Sequence, residues 1–207
     1  YSALERATTS SNNTAVGREA AFHTTTGHSN TAVGYEAFET NTTGSSIVAI
    51  GYHALKASTT ASNNTAVGYQ ALLSNTTGSY NLGIGVDAGR NITTGVRNVA
   101  LGNSALYSAT TGTDNTGLGT QAMNSLSTGS YNTAVGRRAL SATASGTKNT
   151  GVGYHALAEN TANNNTAVGY EALTENTTAS DNTAVGTNAL GANTTGHSNT
   201  AVGYNAS

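Results

Sequence analysis

Residues 30–38 read Asn-Thr-Ala-Val-Gly-Tyr-Glu-Ala-Phe, and close variants of this segment recur along the whole 207-residue chain. We take the glycine after the aliphatic residue as a marker, the first being Gly17 and the last Gly203. Successive markers are 17 residues apart, except for one interval of 16 between Gly153 and Gly169. Residues 1–207 therefore form a single array of twelve tandem repeats. Positions below are counted from the marker glycine of each repeat.

Most positions of the repeat are restricted to a few residue types. Position −4 is Asn in all but one repeat, position −3 is mostly Thr, position −2 is Ala or Gly, and position −1 is Val, Ile or Leu. Position +3 is always Ala, position +4 is usually Leu or Met, and position +10 is usually Gly. The aliphatic residues at −1 and the Leu at +4 are the expected core residues, with Ala where space is tightest.

The period predicts an all-β fold, a β-solenoid (parallel β-roll or β-helix) of about twelve 17-residue coils. Helical repeats are longer, about 33 to 47 residues, and Thr, Asn and Gly are poor helix formers. The segment Thr-Ala-Val suits a strand, to be followed by a turn, a second strand or extended segment, and another turn. Residues 41–44 and 75–78, both Asn-Thr-Thr-Gly, suit the turn, where Gly adopts positive φ freely. Twelve coils at strand spacing give a rod of roughly 58 Å.

Composition excludes several classes of protein. Charged residues make up 9% of the chain, the formal net charge is −2, and there is no Cys or Pro. There is thus no electrostatic case for binding nucleic acid or an anionic membrane, and no disulfide framework. No apolar run is long enough to span a membrane. The chain also lacks the high charge and Pro content that usually accompany disorder.

The recurrent Asn at position −4 has two interpretations. In a stacked array its side-chain amide can hydrogen-bond up and down a column, or it can simply begin the strand as a turn residue. This predicted structural ladder comprises Asn13, Asn30, Asn64, Asn81, Asn98, Asn115, Asn132, Asn149, Asn165, Asn182 and Asn199.

The 16-residue repeat loses its residue within 158–164, which we place in a turn. A deletion on a surface turn leaves strand register intact, whereas one within a strand would move the core side chains to the solvent face.

Tyrosine is concentrated at position +1, next to a mostly polar position +2, so this edge is expected to meet solvent. A packed column that shields the corner of the coil, or a contact in a trimer, is the simpler interpretation. A surface-contact stripe that binds glycans or a host surface is the functional one. The residues are Tyr1, Tyr35, Tyr52, Tyr69, Tyr154, Tyr170 and Tyr204.

No catalytic, cofactor-binding or metal site is predicted. His53 and His155 share a position but lie six coils apart, as His28 and His197 lie ten apart, so the five histidines are expected on surface turns. Calcium-binding β-rolls carry Asp in each Gly-rich turn, a pattern absent here. Residues 83–89 bear a loose likeness to a dinucleotide loop, but they lie in phase with the repeat and no helix follows.

Asn-x-Thr sequons recur because the chain is rich in both residues, so they carry little information. Turn Thr residues are a second expected site for sugar if the rod is extracellular, and an intact mass of 20.7 kDa would exclude a glycoprotein. The sequons begin at Asn12, Asn41, Asn63, Asn75, Asn91, Asn164, Asn176 and Asn193.

Residues 46–51, Ser-Ile-Val-Ala-Ile-Gly, and 98–102, Asn-Val-Ala-Leu-Gly, resemble the head repeat of trimeric autotransporter adhesins. The commoner form, Asn-Thr-Ala-Val-Gly-Tyr-x-Ala-Leu, also resembles repeat arrays in phage-like tail fibres and bacterial surface proteins. The resemblance covers the entire chain. It implies a left-handed parallel β-roll in which three chains associate side by side.

The sequence predicts a non-enzymatic, extracellular fibre on a cell surface or virion, acting as a shaft or adhesin repeat. Self-association is expected, as a homotrimer or end to end, because a narrow coil of Ala, Val and Leu buries little alone. Both termini fall within a repeat, which suggests a fragment of a longer array. The alternative function is an ice-binding solenoid using Thr columns, which Val48, Leu82 and Val99 interrupt at position −3. An enzyme ranks last, because the loops are uniform and nearly uncharged.

Overall fold

A computed structural model describes residues 2–207, so Tyr1 lies outside the described residues. Each repeat contributes one three-residue strand at positions −3 to −1, where a β-branched or aliphatic residue flanks a small one. The strands are β1 (Thr14–Val16), β2 (Thr31–Val33), β3 (Val48–Ile50), β4 (Thr65–Val67), β5 (Leu82–Ile84), β6 (Val99–Leu101), β7 (Thr116–Leu118), β8 (Thr133–Val135), β9 (Thr150–Val152), β10 (Thr166–Val168), β11 (Thr183–Val185) and β12 (Thr200–Val202).

All twelve strands form one parallel sheet in sequence order, from β1 to β12. Equivalent residues lie opposite one another, as Thr14 does with Thr31 and Val16 with Val33. The 16-residue interval keeps this register, because Thr150 pairs with Thr166. The described residues contain no helix, and the chain winds through about eleven turns. The predicted all-β solenoid is confirmed.

The core is narrower than the sequence suggested. Side chains at −4 and −2 point inward, because successive residues of a strand face opposite sides, and they meet Ala at +3 and the large residue at +4. A Cβ added at Gly83 would lie 2.8 Å from Leu72 Cγ, so even Ala is crowded there and position −2 has no room for a larger side chain. The aliphatic residues at −1 therefore point outward, and the prediction that they fill the core is wrong.

The rest of each coil is a series of turns, and the described residues contain no second strand per coil. Positions +2, +4 and −5 adopt positive φ, for example 57° at His53, 52° at Leu55 and 59° at Asn63. Alternating left-handed residues prevent an extended segment. The turns nevertheless stack, since the Leu55 N–H donates to the Ala71 carbonyl of the next coil at 3.0 Å. Axial hydrogen bonds thus surround the rod and are not confined to the sheet.

The two recurrent glycines serve different purposes. The marker glycines have φ between 128° and 146°, a region that L side chains rarely adopt. Gly44 and Gly78 at position +10 do not have positive φ, so the predicted reason for glycine there is wrong. What Gly78 provides is close approach, because an added Cβ would lie 2.2 Å from the Gly95 carbonyl oxygen. Ala nonetheless occupies +10 in three coils, as Ala61, Ala162 and Ala179, so this contact can adjust locally.

The short repeat lacks its residue at position +9, inside the predicted segment and on a turn. Asn149 Nδ2 donates to the Ala162 carbonyl at 2.8 Å, as Asn132 Nδ2 does to the Gly146 carbonyl at 2.8 Å. Ala162 therefore occupies position +10, directly after Thr161 at +8. Position +9 is exposed in the other described coils, as at Thr111, so the deletion leaves the core unchanged.

Candidate functional surfaces

The Asn residues at −4 lie inside the rod, where their amides join neighbouring coils. Between Asn30 and Asn182 they are at most 2% exposed. Asn115 Oδ1 accepts the Asn132 N–H at 3.0 Å, and Asn115 Nδ2 donates to the Gly129 carbonyl at 2.9 Å. Direct amide–amide bonds join Asn98, Asn115 and Asn132 at 3.1 Å. Asn13 and Asn199, at the two ends of the column, are the less buried members. This column is internal and cannot contact a ligand.

A second buried polar column, at position +7, was not found from the sequence. Asn41 Nδ2 donates to the Gly44 carbonyl at 3.2 Å, and the Gly44 N–H donates to Asn41 Oδ1 at 2.8 Å. This local pairing closes the turn that brings the chain back to the strand. The signal available in the sequence was the recurrence of Asn, Ser or Thr at +7, but Ile92, Ala109 and Leu126 interrupt it. The column at +7 is therefore structural, like the Asn column at −4.

The outward face of the sheet has two parallel columns, Thr at −3 and aliphatic residues at −1. Ile50, Leu101 and Val168 are 37%, 41% and 38% exposed. No hydroxyl of the −3 Thr residues donates to or accepts from another described residue, whereas the hydroxyls at +8 do, as Thr42 Oγ1 donates to the Thr59 carbonyl at 3.1 Å. The strand face is thus a long apolar stripe edged with free hydroxyls.

The tyrosine column at +1 forms two stacked groups and one separate member, Tyr204. Tyr35, Tyr52 and Tyr69 stack with centroids 5.4 and 5.2 Å apart and planes within 12°. Tyr154 and Tyr170 stack at 5.2 Å. Because the rings lie across the axis, one on another, each group presents its edges to solvent. Stacking of this kind contributes about 0.5 to 1.5 kcal/mol per pair.

An arginine at the same position of the preceding coil covers each stack. The Arg18 guanidinium lies 5.2 Å from the Tyr35 ring centroid, and that of Arg137 lies 5.7 Å from the Tyr154 ring centroid. These are cation–π contacts, and the planar guanidinium of arginine is well suited to lie over an aromatic ring. Val86 replaces tyrosine at +1 in the coil that follows Tyr69, so the first stack ends there.

Beside the tyrosine column, positions +2 and +5 form the flank columns, which carry most ion pairs of the rod. Lys56 contacts the Glu36 carboxylate and lies 3.4 Å from that of Glu39, and His53 Nε2 lies 3.0 Å from Glu36 Oε2. Burial opposes ionisation of Glu36, but hydrogen bonds from Lys56 and Tyr35 outweigh it and lower the pKa of the carboxyl. The hydrogen bond to Glu36 raises the pKa of Lys56.

Another ion pair joins adjacent coils at position −5. Arg97 binds Asp114 in the bidentate manner, with Nε–Oδ1 and Nη2–Oδ2 distances of 2.6 and 2.8 Å. The hydrogen bond from Arg97 lowers the pKa of Asp114. Both side chains face solvent, so the pair adds little to stability.

The flank columns open into a groove of about 270 Å³ in the seventh to tenth coils. Its lining is mostly polar and includes Gln121, Asn124, Arg138, His155 and Glu159. None of these residues was singled out as a site from the sequence. The available signal was the small residue at +5, Ser141 or Ala158, where other coils have Lys56, Leu73 or Arg90.

Among residues 2–207, no three His, Asp or Glu side chains are placed to hold a metal ion. His53 and His155 are half-buried in the flank column, where the His155 ring stacks on Tyr154 and the His53 ring is tilted against Tyr52, while His28 and His197 are exposed. His23 Nδ1 lies 3.1 Å from the Glu39 carbonyl.

The sequons divide by burial. Asn41, Asn75 and Asn176 are fully buried at +7, so the folded coil cannot carry sugar there. Asn12, Asn63 and Asn164 are exposed, and Asn91 and Asn193 are half-buried.

No protein-family model, curated protein or solved structure matches this chain. Within the described part of the chain, no helix is long and apolar enough to cross a membrane.

Proposed function

We propose that the chain is a repeat segment of an extracellular structural or adhesive fibre, on a cell surface or a virion. The observation that carries the proposal is the continuous axial bonding of the coil. Strands, turns, Asn amides and Thr hydroxyls all bond to the same or the adjacent position of a neighbouring coil, which makes a stiff rod of uniform cross-section.

The apolar stripe at position −1 supports side-by-side self-association, as the resemblance to trimeric adhesins implies. A run of half-exposed aliphatic residues along a full rod is an unusually large apolar surface for an isolated chain. Burying this stripe between copies would supply the apolar contact that a narrow Ala-rich core lacks. We propose a left-handed coil and three copies side by side, as that resemblance implies.

Sedimentation and electron microscopy of the purified rod test the proposal, together with binding of the labelled rod to cell surfaces. We expect rods of constant width and a mass of several chains. Leu101→Lys with Val168→Lys should yield single chains, while Thr94→Lys with Thr111→Lys, on the exposed turn, should leave association unchanged. A parent rod that is monomeric and does not bind any cell surface would contradict the proposed function.

A second candidate is ice binding, favoured by the outward Thr column. Its hydroxyls have no protein partner and recur at strand spacing, so they can order water in a regular array. Thermal hysteresis of the rod should then be measurable and should fall in Thr133→Leu with Thr150→Leu. Absence of hysteresis in the parent would remove this candidate and leave the fibre.

A further inference from the structure

The groove between the flank columns exists because Ser141 and Ala158, at +5 of the eighth and ninth coils, are short where earlier coils have long side chains such as Lys56. In the second and third coils the corresponding space is filled, since Lys56 at +5 reaches back to Glu36 at +2 of the preceding coil. Likewise, Asn124 Nδ2 bonds the Ser104 carbonyl at 3.2 Å. Ser141 and Ala158 are too short to reach across, so nothing from +5 covers Gln121 or Arg138.

The open groove leaves polar groups without protein partners. Arg138 Nε donates to Gln121 Oε1 at 2.9 Å, and the two terminal guanidinium nitrogens make no hydrogen bond to a described residue. His155 Nε2 is buried and has no hydrogen-bond partner. In the third coil the same nitrogen of His53 also lacks a hydrogen bond, but it lies 3.0 Å from the Glu36 carboxylate. In the groove the preceding +2 residue is Arg138 and the following one is Glu171, whose carboxylate makes no ion pair with His155.

These contacts define the ligand chemistry. A carboxylate in the groove could pair with the Arg138 guanidinium in the bidentate manner, near the His155 ring. The groove offers one guanidinium and also the Glu159 carboxylate, a balance that disfavours a ligand with several negative charges. Gln121, Asn124 and Ser125 add amide and hydroxyl groups suited to sugar hydroxyls. The volume of about 270 Å³ is slightly below the usual range of small-molecule sites, about 300 to 1,000 Å³.

We propose that this groove binds a carboxylate-bearing saccharide, with Arg138 pairing with the carboxylate beside the His155 ring and Gln121, Asn124 and Glu159 holding hydroxyls. The proposal rests on the adhesive form of the proposed function and names its ligand class. Tyr154, whose ring stacks on that of His155 at 4.1 Å between centroids, fixes the orientation of the imidazole.

The test is titration of the rod with galacturonate, which carries one carboxylate, using its methyl ester as the uncharged control. We expect galacturonate to bind and its ester to bind at least about tenfold more weakly, because the charged hydrogen bonds are lost. Arg138→Gln should weaken galacturonate binding by a similar factor. Lys148→Gln, which removes one positive charge from an exposed side chain outside the groove, should not.

A groove-filling variant tests the location of the site independently of charge. Ser141→Leu copies Leu73, the residue at +5 of the fourth coil, and should abolish binding while the thermal unfolding midpoint stays near that of the parent. No binding of galacturonate by the parent, equal binding of acetate, or full binding by Arg138→Gln would overturn the proposal. Sedimentation and microscopy of these variants separate that outcome from failure of the fibre, since the groove variants should still form rods.

Discussion

At the marker position the backbones of adjacent coils approach too closely for a side chain. A Cβ at Gly102 would lie 2.7 Å from the Gly119 carbonyl carbon, and the φ of 130° is strained for any L residue. At position +10 the approach is at least as close, since a Cβ at Gly112 would lie 2.3 Å from the Gly129 carbonyl oxygen, yet φ there is not positive. The natural Ala at +10 in three coils, Ala61, Ala162 and Ala179, shows that only the marker is restricted to glycine by its backbone.

Gly102→Ala should therefore lower the free energy of unfolding by about 2 kcal/mol or more, the cost of forcing a strained backbone conformation. Gly112→Ala is the matched control. It should lower the free energy of unfolding by less, because φ at Gly112 is not positive and the close contact of the added Cβ can adjust. Urea unfolding followed by circular dichroism measures both. Equal losses would contradict the distinction between the two glycines.

The buried Asn column gives a second test at single residues. Asn115→Ala removes the acceptor of the Asn132 N–H and the donor to the Gly129 carbonyl, both buried. We expect a loss of at least about 2 kcal/mol, because unsatisfied buried groups cost about 1 to 3 kcal/mol each.

Asn115→Ile is the control, because Ile47 occupies the same position in the third coil. It should be less damaging than the Ala variant, since it fills the space that Ala leaves empty. Should Asn115→Ala unfold like the parent, the buried amides would not be what holds adjacent coils together.

Each coil is an element whose strand has a fixed length and whose turn does not. The natural loss at +9 leaves Thr150 opposite Thr166, which shows that the turn absorbs one residue without a change of register. A deletion in the strand cannot be absorbed, because side chains alternate between core and surface.

Deletion of Thr111, at +9, should therefore leave the thermal unfolding midpoint near that of the parent. Deletion of Thr116, in β7, should lower it by about 4 °C or more, since at least one buried hydrogen bond or apolar contact is lost. Differential scanning calorimetry compares the two variants. Equal midpoints would show that the register is not set by the strands.

Ion pairs between coils should give the rod a modest pH dependence. Because the folded state lowers the pKa of Glu36 and raises that of Lys56, their pair stabilises fully between the ordinary values of 4.5 and 10.5. The stabilisation is lost as pH falls through the folded pKa of Glu36 or rises through that of Lys56.

Glu36→Gln should lower stability at pH 7 by less than about 1 kcal/mol, and this difference from the parent should shrink below pH 4.5. Glu175→Gln, at an exposed carboxylate without an ion pair, is the control. Unfolding midpoints at pH 3, 5 and 7 measure the effect. A constant difference at all three would show that the pair does not act through its charge.

For the whole molecule, periodicity was enough to predict the solenoid, because a 17-residue repeat rich in Thr and Gly has few other solutions. It did not predict which face of the strand lies inside. Val and Ala are both apolar, and only the width of the core, limited by residues such as Leu72 above Gly83, decides that Ala points inward. Nor could the groove be predicted. The short side chains of Ser141 and Ala158 indicate a groove only once the structure shows that a long +5 side chain, such as Lys56, reaches back to the preceding coil.

Distances along the rod test most directly whether like residues lie over one another. The chain has no Cys, so nitroxide spin labels can be placed at exposed +9 positions by Thr26→Cys with Thr111→Cys and by Thr26→Cys with Thr195→Cys. The pairs span five and ten coils, and stacking at strand spacing predicts about 24 and 48 Å by double electron–electron resonance. Distances that do not double between the two pairs, or that differ widely from these values, would contradict the stacked solenoid.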